Sequence, residues 1–428
     1  MLDLDFLIHP DALVNHAFLI IADDLSGAAD CAVGFVAAGF DSVVLLDTGS
    51  EAAVPTASVV AVDTDSRRDA GPMAAGKALA ALGAHGAERR VVKKIDSTLR
   101  GGWVAEVAAL QPALGLALVA PAFPDLGRTV RDGTVLVHGT PLAETATWRL
   151  EHAGHESRPA RMLEAAGLRC ETVPADLLDG TPDALRLALA QARDRGCRAL
   201  VFDTENAAQL RTLADATRDL PDVFWVASAG LAREIARCAR IAPSAVPAGG
   251  TRTGACGVLT VVGSLSPIAE RQIACLAEQP GSPVHTIAPH LLRDPPTTDT
   301  AGPAWARAIH ADIARGLDPV ACIGADADLD PSEGPLLARR LARHLAPAMR
   351  DAAGLVLTGG ETARAMLEQL DIARLRVLGE TEPGVALSCS MTPRPQYIVT
   401  KAGAFGDAGS LARARQAIQS RSAATPAT

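Results

Sequence analysis

Aromatic side chains are scarce in this 428-residue chain: 3% of positions, with a single tyrosine. A surface that stacks nucleobases needs several aromatic platforms, so single-stranded nucleic acid is a poor fit as partner. Basic charge is also short. Lys and Arg number 40 against 49 Asp and Glu, a net charge of −9, which opposes a polyanionic partner such as DNA. An anionic substrate must therefore be met by a local basic pocket, not by a basic face. There is no uninterrupted run of about 18 apolar residues and no basic-then-apolar opening segment. These absences predict a soluble, cytoplasmic protein with neither membrane nor nucleic acid as partner. The eight cysteines (Cys31, Cys170, Cys197, Cys238, Cys256, Cys275, Cys322, Cys389) form no C-x-x-C pair and sit beside apolar or helix-forming residues. They read as reduced, buried thiols. The ten histidines cluster only in Glu151-His152-Ala153-Gly154-His155-Glu156, whose spacing fits no known metal-ligand pattern. That segment reads as a polar turn or a substrate-side contact.

Apolar residues, by contrast, make up 48% of the chain, ample for two sizeable cores at this length. The organising stretch runs from Phe18 to Asp30. A short apolar run, Phe18 to Ala22, breaks into Asp23-Asp24, and a small-residue helix follows with Ser26 as its expected N-cap. Two carboxylates at the carboxyl end of a strand stand where open α/β sheets bind ligands. Gathering them there calls for a nearby cation or a proton to be removed.

After a short lead-in, the same strand-helix alternation continues. Strands are expected at 41–46, 57–62, 90–95, 116–120, 169–173, 199–203 and 223–227, with helices between them. Strands that are apolar throughout imply a parallel sheet covered on both faces. Gly127, Gly133 and Gly139 bracket an expected hairpin laid over that sheet. Ile241 to Thr253 holds two Pro, two Gly and no periodicity, the best linker in the chain. A fresh strand at 258–262 begins a second series, with further strands at 320–323, 354–358 and 397–400. Residues 289–303 are expected to form an exposed loop, and the last eight or so to fray. The fold class is thus α/β, two domains each built on a mostly parallel sheet flanked by helices. The expected boundaries are 1–243, a linker at 244–256, and 257–428.

Three strand ends of the first domain carry polar clusters: Asp23-Asp24, Asp65-Ser66-Arg67-Arg68, and Lys93 through Gly101. Parallel strands end on one edge, so these clusters can converge. The third joins Lys94, Asp96, Ser97, Thr98 and Arg100 within seven residues, a set suited to a small carboxylate or phosphate with hydroxyl partners for a polyol. Lys93 and Lys94 alternate on a strand, so at most one faces a ligand. In the second domain, three loops pair glycine with hydroxyls before a helix: Gly263-Ser264-Leu265-Ser266, Gly359-Gly360-Glu361-Thr362, and Lys401 through Asp407. Such loops let backbone N–H groups approach phosphates at a positive helix end. Acids and bases precede the linker, and phosphate cradles follow it. Gly71-Pro72-Met73-Ala74-Ala75-Gly76-Lys77-Ala78 nearly spells a P-loop but lacks the final hydroxyl and follows no strand, so it reads as an ordinary helix start. Gly403, Gly406 and Gly409 likewise lack the spacing of a dinucleotide fingerprint.

With these residues in view, the chain resembles the four-carbon acid sugar kinase family, which includes D-threonate, D-erythronate and 3-oxo-tetronate kinases. The resemblance runs nearly end to end. It rests on the stretches at 21–28, 65–67 and 93–101, on Pro121-Ala122-Phe123-Pro124 leading to Gly127-Arg128-Thr129, and on Gly139 to Thr145. In the second domain it rests on Gly263-Ser264, Gly359 to Thr362, and Lys401 to Asp407. It implies ATP-dependent phosphorylation of the terminal hydroxyl of a four-carbon sugar acid. Substrate contacts would fall on Asp24, Arg67, Lys94, Asp96, Ser97, Thr98 and Arg100. Nucleotide contacts would fall on Ser264, Ser266, Gly359, Gly360, Glu361, Thr362, Lys401, Gly403 and Gly406. Asp24 is then the expected base, with Asp23 orienting it or helping to hold Mg²⁺ brought by ATP; Arg67 and Lys94 would anchor the carboxylate. Two departures stand out: Leu25-Ser26 replaces Phe-Thr, and Ala402 replaces the serine of Lys-Ser-Gly. The partners implied are a sugar acid and ATP, and a homodimer is compatible with the sequence. A lyase or dehydratase using Asp24 and Lys94 leaves the three glycine loops unexplained; a non-catalytic sugar-acid sensor would bind ligand without consuming ATP, and no DNA-binding segment supports it.

Overall fold

The computed structural model describes residues 17–48, 57–145, 148–149, 154–239, 257–293, 302–325 and 330–424. The expected linker, Ile241 to Thr253, lies outside the described residues, as do most of the expected lead-in and residues 425–428.

The strands of the first half are β1 (Ala17–Ala22), β2 (Ser42–Leu45), β3 (Val59–Asp63), β4 (Arg89–Lys94), β5 (Leu116–Ala120), β6 (Arg128–Arg131), β7 (Thr134–Val137), β8 (Thr140–Pro141), β9 (Cys170–Val173), β10 (Ala199–Phe202) and β11 (Val223–Ala227). Those of the second half are β12 (Val258–Val262), β13 (Val284–Ile287), β14 (Val320–Ile323), β15 (Gly354–Thr358), β16 (Arg374–Glu382), β17 (Val385–Ser390) and β18 (Tyr397–Lys401). Apolar runs buried end to end, such as Val223–Ala227 and Leu116–Ala120, become central parallel strands, because both faces are covered by helices. The glycine-bracketed segment forms a small antiparallel sheet, β6-β7-β8, pinned to the first half by a bridge between Val130 and Thr204.

Three local expectations change. Ser26 is not the cap of helix Leu25–Ala37; Asp24 is, its Oδ1 accepting from the Gly27 N–H at 2.9 Å. Residues 289–293 form a short helix with Leu292 fully buried, not the start of an exposed loop. The C-terminal helix Ser410–Ala424 reaches into the segment expected to fray. The sequence reading also passed over β13 and the long antiparallel pair β16-β17.

That antiparallel pair joins the two halves. All but three of the main strands' neighbours are parallel, yet the order β13-β14-β12-β15-β18-β17-β16-β2-β3-β1-β4-β11-β5-β10-β9 is one continuous fifteen-stranded sheet. The junction is β16 on β2, with Arg374, Leu375 and Arg376 paired antiparallel to Leu45, Val44 and Val43. Two antiparallel steps followed by this third leave the first-half strands running opposite to those of the second half. Neighbouring strands rotate by roughly 20–25° each, so six steps from β15 to β1 turn the sheet by about 120–150°. The twist thus brings the carboxyl ends of both halves to the same side.

One hydrophobic cluster crosses the junction, running from Phe18, Phe35 and Trp225 to Leu259, Leu357, Met366 and Ile398. Ion pairs brace its edges. Arg233 bonds Glu380 at 2.7 and 2.8 Å and Asp30 at 3.2 Å. Arg364 donates to Asp63 at 2.7 Å and to the Leu46 carbonyl at 2.6 Å. The halves are therefore not joined by a linker alone, and any closure works against a shared sheet and core.

Asp63 gives this interface a pH signature. Burial pushes its carboxyl up to about 7, although Arg364 pulls the other way. An acid whose folded pKa exceeds its unfolded value stabilises when protonated; the contribution is complete below about pH 4 and is lost as pH rises through about 7. Asp63→Asn should therefore gain thermal stability relative to the parent between pH 4 and pH 8, with a plateau above. A difference in Tm that stays flat over that range would show Asp63 ionised throughout.

Candidate active site

Three adjacent strands, β3, β1 and β4, deliver the three polar clusters side by side. Asp23 is 2% exposed, and its two oxygens accept from Arg67 Nη2 at 2.8 Å and Nε at 2.7 Å. Asp24 accepts from the same guanidinium, Nη1 and Nη2, at 2.9 Å each. Burial by itself would raise the Asp23 carboxyl, but the Arg67 charge and hydrogen bonds, with Lys93 and Lys94 behind them, hold it below its ordinary value. Two neighbouring carboxylates can coexist here because one guanidinium serves both.

Asp96 organises the next loop. It accepts from the Thr98 N–H at 2.7 Å, the Thr98 hydroxyl at 2.6 Å and Arg100 Nε at 2.8 Å. Burial opposes its charge, but Arg100, Arg67 and Lys94 together hold it well below the usual carboxylate range. The lysines part as strand alternation requires. Lys93 is fully buried beside Glu106 at 2.8 Å, while Lys94 lines the cavity. Lys94 Nζ has no hydrogen-bond partner among the described residues. It lies 2.9 Å, and Asp24 Oδ1 2.7 Å, from the point where a side chain on Gly27 would begin.

These groups face a cavity of about 190 Å³. Asp24, Arg67, Lys94, Asp96, Ser97, Thr98 and Arg100 line it, whereas Asp23 does not. Apolar side chains that the sequence reading gave no role also line it: Phe123, Val137, Leu142 and Trp148 from the first half, Phe405 from the second. Arg128 also lines it, within a segment quoted for the family resemblance but given no role. Gly384, at the tip of the β16-β17 hairpin, has φ +82 and leaves no room for a side chain under Phe405.

In the second half, β12, β15 and β18 are also neighbours, so the three glycine loops meet. A side chain on Gly263 would overlap Thr362, and one on Gly403 would come within 2.6 Å of Ser264 Oγ. Ser266 Oγ caps helix Pro267–Ala277 and donates to the Gly403 carbonyl at 3.1 Å. Gly406 has φ +83, against Ser410 and Glu382. Gly359, at φ +94, starts helix Gly360–Gln369 with no side-chain cap, so its first N–H groups are open to an anion. Glu361 pairs with Arg68 across the cleft. Lys401 departs from expectation. It is 0% exposed, and its amino group donates to the carbonyls of Ala402 and Phe405 at 2.9 Å. Burial lowers it to about 8. Lys401 shapes the loop from behind.

The two halves meet at this point. Asp24 Oδ2 lies 2.8 Å, and Ser26 Oγ 3.5 Å, from the position of a side chain on Gly360. The Ser26 hydroxyl is buried without a hydrogen-bond partner.

A family model described as a sugar-binding N-terminal domain matches residues 18–235, and one described as a nucleotide-binding C-terminal domain matches 259–411. A D-threonate kinase of Cupriavidus necator is 44% identical over 94% of this chain and 98% of its own. The chain belongs to the four-carbon acid sugar kinase family. A Bordetella bronchiseptica D-threonate kinase is 35% identical (94% and 97% covered), and a Pectobacterium atrosepticum 3-oxo-tetronate kinase 31% (93% and 98%). A Salmonella typhimurium structure titled a putative tRNA synthase superposes with a TM-score of 0.78 at 25% identity, covering 94% of this chain and 99% of that one. A Haemophilus influenzae protein shares the fold at TM-score 0.73 and 18% identity, covering 94% and 100%. Among the described residues no helix is long and apolar enough to cross a membrane.

Family membership makes the closeness at Gly27 a functional matter. Alanine is the better helix former by about 1 kcal/mol, so Gly27→Ala should not unravel helix Leu25–Ala37. Its methyl would displace Asp24 and Lys94 together, and misplacement by an ångström costs on the order of 100-fold. The expected result is a loss of kcat/KM for the sugar acid of that size with thermal unfolding little changed. Retained turnover would show that neither side chain needs its present position.

Proposed function

We propose that this chain transfers the γ-phosphoryl group of ATP to the terminal hydroxyl of a four-carbon sugar acid, D-threonate being the first candidate. The observation that carries the reading is the contact at Gly360: the carboxylate lining the polar cavity abuts the uncapped helix start in the domain matched as nucleotide-binding. Acceptor and donor sites so placed suit direct in-line transfer.

Asp24 takes the role of proton acceptor. Of the paired acids it alone lines the cavity, and the Arg67 fork fixes the plane of its carboxylate. Phosphoryl transfer passes through a loose transition state in most analyses, so the attacking hydroxyl needs orientation more than a strong base. Lys94, beside Asp24 and unpaired, is placed to meet negative charge on the group in transit. Arg67 supports both acids with four of its N–H bonds, which leaves it little capacity as the sole anchor for a substrate carboxylate.

Magnesium fits as a companion of the nucleotide. Among the described residues no group of three or more His, Cys, Asp or Glu is arranged to hold a metal, and both Asp23 oxygens are taken by Arg67. Asp23 is thus better read as a clamp on Arg67 than as a ligand. Mg²⁺ held chiefly by phosphate oxygens would neutralise their charge. Ser264, Gly403 and the Gly359–Thr362 segment form the proposed phosphate cradle.

ADP release measured with ATP, Mg²⁺ and a panel of D-threonate, D-erythronate and 3-oxo-tetronates tests this reading. Turnover is expected with at least one acid and should vanish on chelation of the metal. Asp24→Asn should lower kcat by roughly 10²-fold or more while ATP binding by calorimetry is retained. Near-normal turnover in that variant would remove Asp24 from the base role, and consumption of the acid without ADP would favour a lyase.

A further inference from the structure

The structure leaves open which cation receives the carboxylate of the acid, because Arg67 is occupied by the chain's own carboxylates and Lys94 lies next to Asp24 at the reacting end. Arg128 answers the description. It begins β6, in the small antiparallel sheet and outside the polar clusters at the strand ends, yet it lines the same cavity. Its backbone is fixed twice: the Arg128 N–H donates to the Phe123 carbonyl at 3.1 Å and the Phe123 N–H donates back at 2.9 Å. Gly127, in the left-handed region at φ +66, turns the chain into this bridge, and a side chain there would strike the His138 ring. The bridge between Val130 and Thr204 holds the rest of the small sheet. Arg128 is therefore presented by a braced platform.

Its guanidinium is under-used. Among the described residues it makes one hydrogen bond, from Nη1 to the Leu126 carbonyl, and its Nε is buried with no partner. Arg67, by comparison, satisfies two carboxylates. This half-buried guanidinium lines a polar cavity, feels the charge of Asp96 without a hydrogen bond to it, and keeps N–H donors of the kind that bind a carboxylate through two parallel bonds. Arg100, on the same wall, is held by Asp96 and adds positive potential.

We propose that Arg128 is the specificity-determining contact for the substrate carboxylate. The acid would lie with its carboxylate toward Arg128 and its terminal hydroxyl toward Asp24, Lys94 and Gly360. This rests on the sugar-acid kinase reading and adds a direction to it. The apolar wall of Phe123, Val137, Leu142 and Trp148 then faces the C–H side of the carbon chain. A four-carbon acid is distinguished from the corresponding alditol by one charge at one end, and Arg128 is the group that reads it.

The test compares the parent, Arg128→Gln and Arg128→Lys by titration calorimetry with D-threonate and by ADP release with D-threonate and with threitol, its uncharged counterpart. Loss of a charge-assisted bidentate contact is expected to weaken D-threonate binding and raise its KM by about 10- to 100-fold. The KM for ATP and any turnover of threitol should stay as in the parent, so the preference for acid over alditol collapses. Arg128→Lys should recover part of the loss, because charge returns without the fork. Unchanged discrimination in Arg128→Gln, or a rise in the KM for ATP with D-threonate binding intact, would overturn the proposal. A parent protein that binds D-threonate without releasing ADP would sink the kinase reading while calorimetry still judges Arg128. A parent that binds no four-carbon acid would sink both. Equal Tm values for the three proteins exclude a folding defect, and a variant that unfolds is replaced by Arg128→Met in the same comparison.

Discussion

The Arg67 guanidinium between Asp23 and Asp24 is the interaction on which the rest of the site depends. Adjacent carboxylates at the end of a buried strand repel each other and lose hydration; without a cation one of them would take up a proton. Arg67 bridges the two with four N–H bonds. The consequences spread outward. Asp24 is held so that it caps helix Leu25–Ala37 and still faces the cavity, and that helix carries Asp30 to Arg233 and packs its Phe35 against Phe18. Lys94 makes no hydrogen bond to either acid among the described residues, although its charge reaches Asp23, Asp30 and Asp96.

The second constraint is topological. A hinge between independent domains would allow the two binding surfaces to separate widely, but β16 on β2 makes the domains one sheet, and Arg233 and Arg364 fasten its flanks. The geometry at Gly360 is therefore largely built in. Motion is better placed in loops such as 402–407, where Phe405 covers the cavity and Lys401 holds the turn from inside. Burial lowers the Lys401 amino group to about 8, so its hold on those carbonyls weakens in mildly alkaline solution.

Much of this was legible in the sequence, for identifiable reasons. Strands buried on both faces are nearly continuous apolar runs, and Leu116–Ala120, Val223–Ala227 and Val258–Val262 fall at their expected bounds. Polar clusters after such runs converge because parallel strands share an edge, which brings Asp24, Lys94 and Asp96 together. What escaped was the non-local part. The β16-β17 pair is mixed in polarity, with several half-buried positions in Arg374–Glu382, so it lacks the apolar signature even though it joins the halves. Ser26 and Asp24 are both good N-cap residues; the chain leaves its extended form at Asp24 (φ −146, ψ 158), which makes Asp24 the cap. Phe123 and Phe405 stood in stretches quoted for the resemblance but received no role, because nothing in the sequence shows that they and Trp148 line one cavity. Lys401 looked like a phosphate ligand because lysine after a strand often is one; its burial among carbonyls depends on how the loop folds back.

A carboxylate bound to arginine looks at first like a poor proton acceptor, and this bears on how the site can act. The Arg67 contact fixes the direction of the Asp24 carboxylate, so in the proposed transfer a bound acid would meet it in one orientation. In a loose transition state the hydroxyl has given up little of its proton when the phosphoryl group is midway, so basicity matters less than alignment. In the proposed transfer, the negative charge on the equatorial oxygens of the phosphoryl group would be met by Lys94 and by the uncapped start of helix Gly360–Gln369. On the proposed reading, catalytic advantage would come from preorganised charge at the junction of the two halves, and the joining strands would then matter to the chemistry as much as the side chains in the cavity.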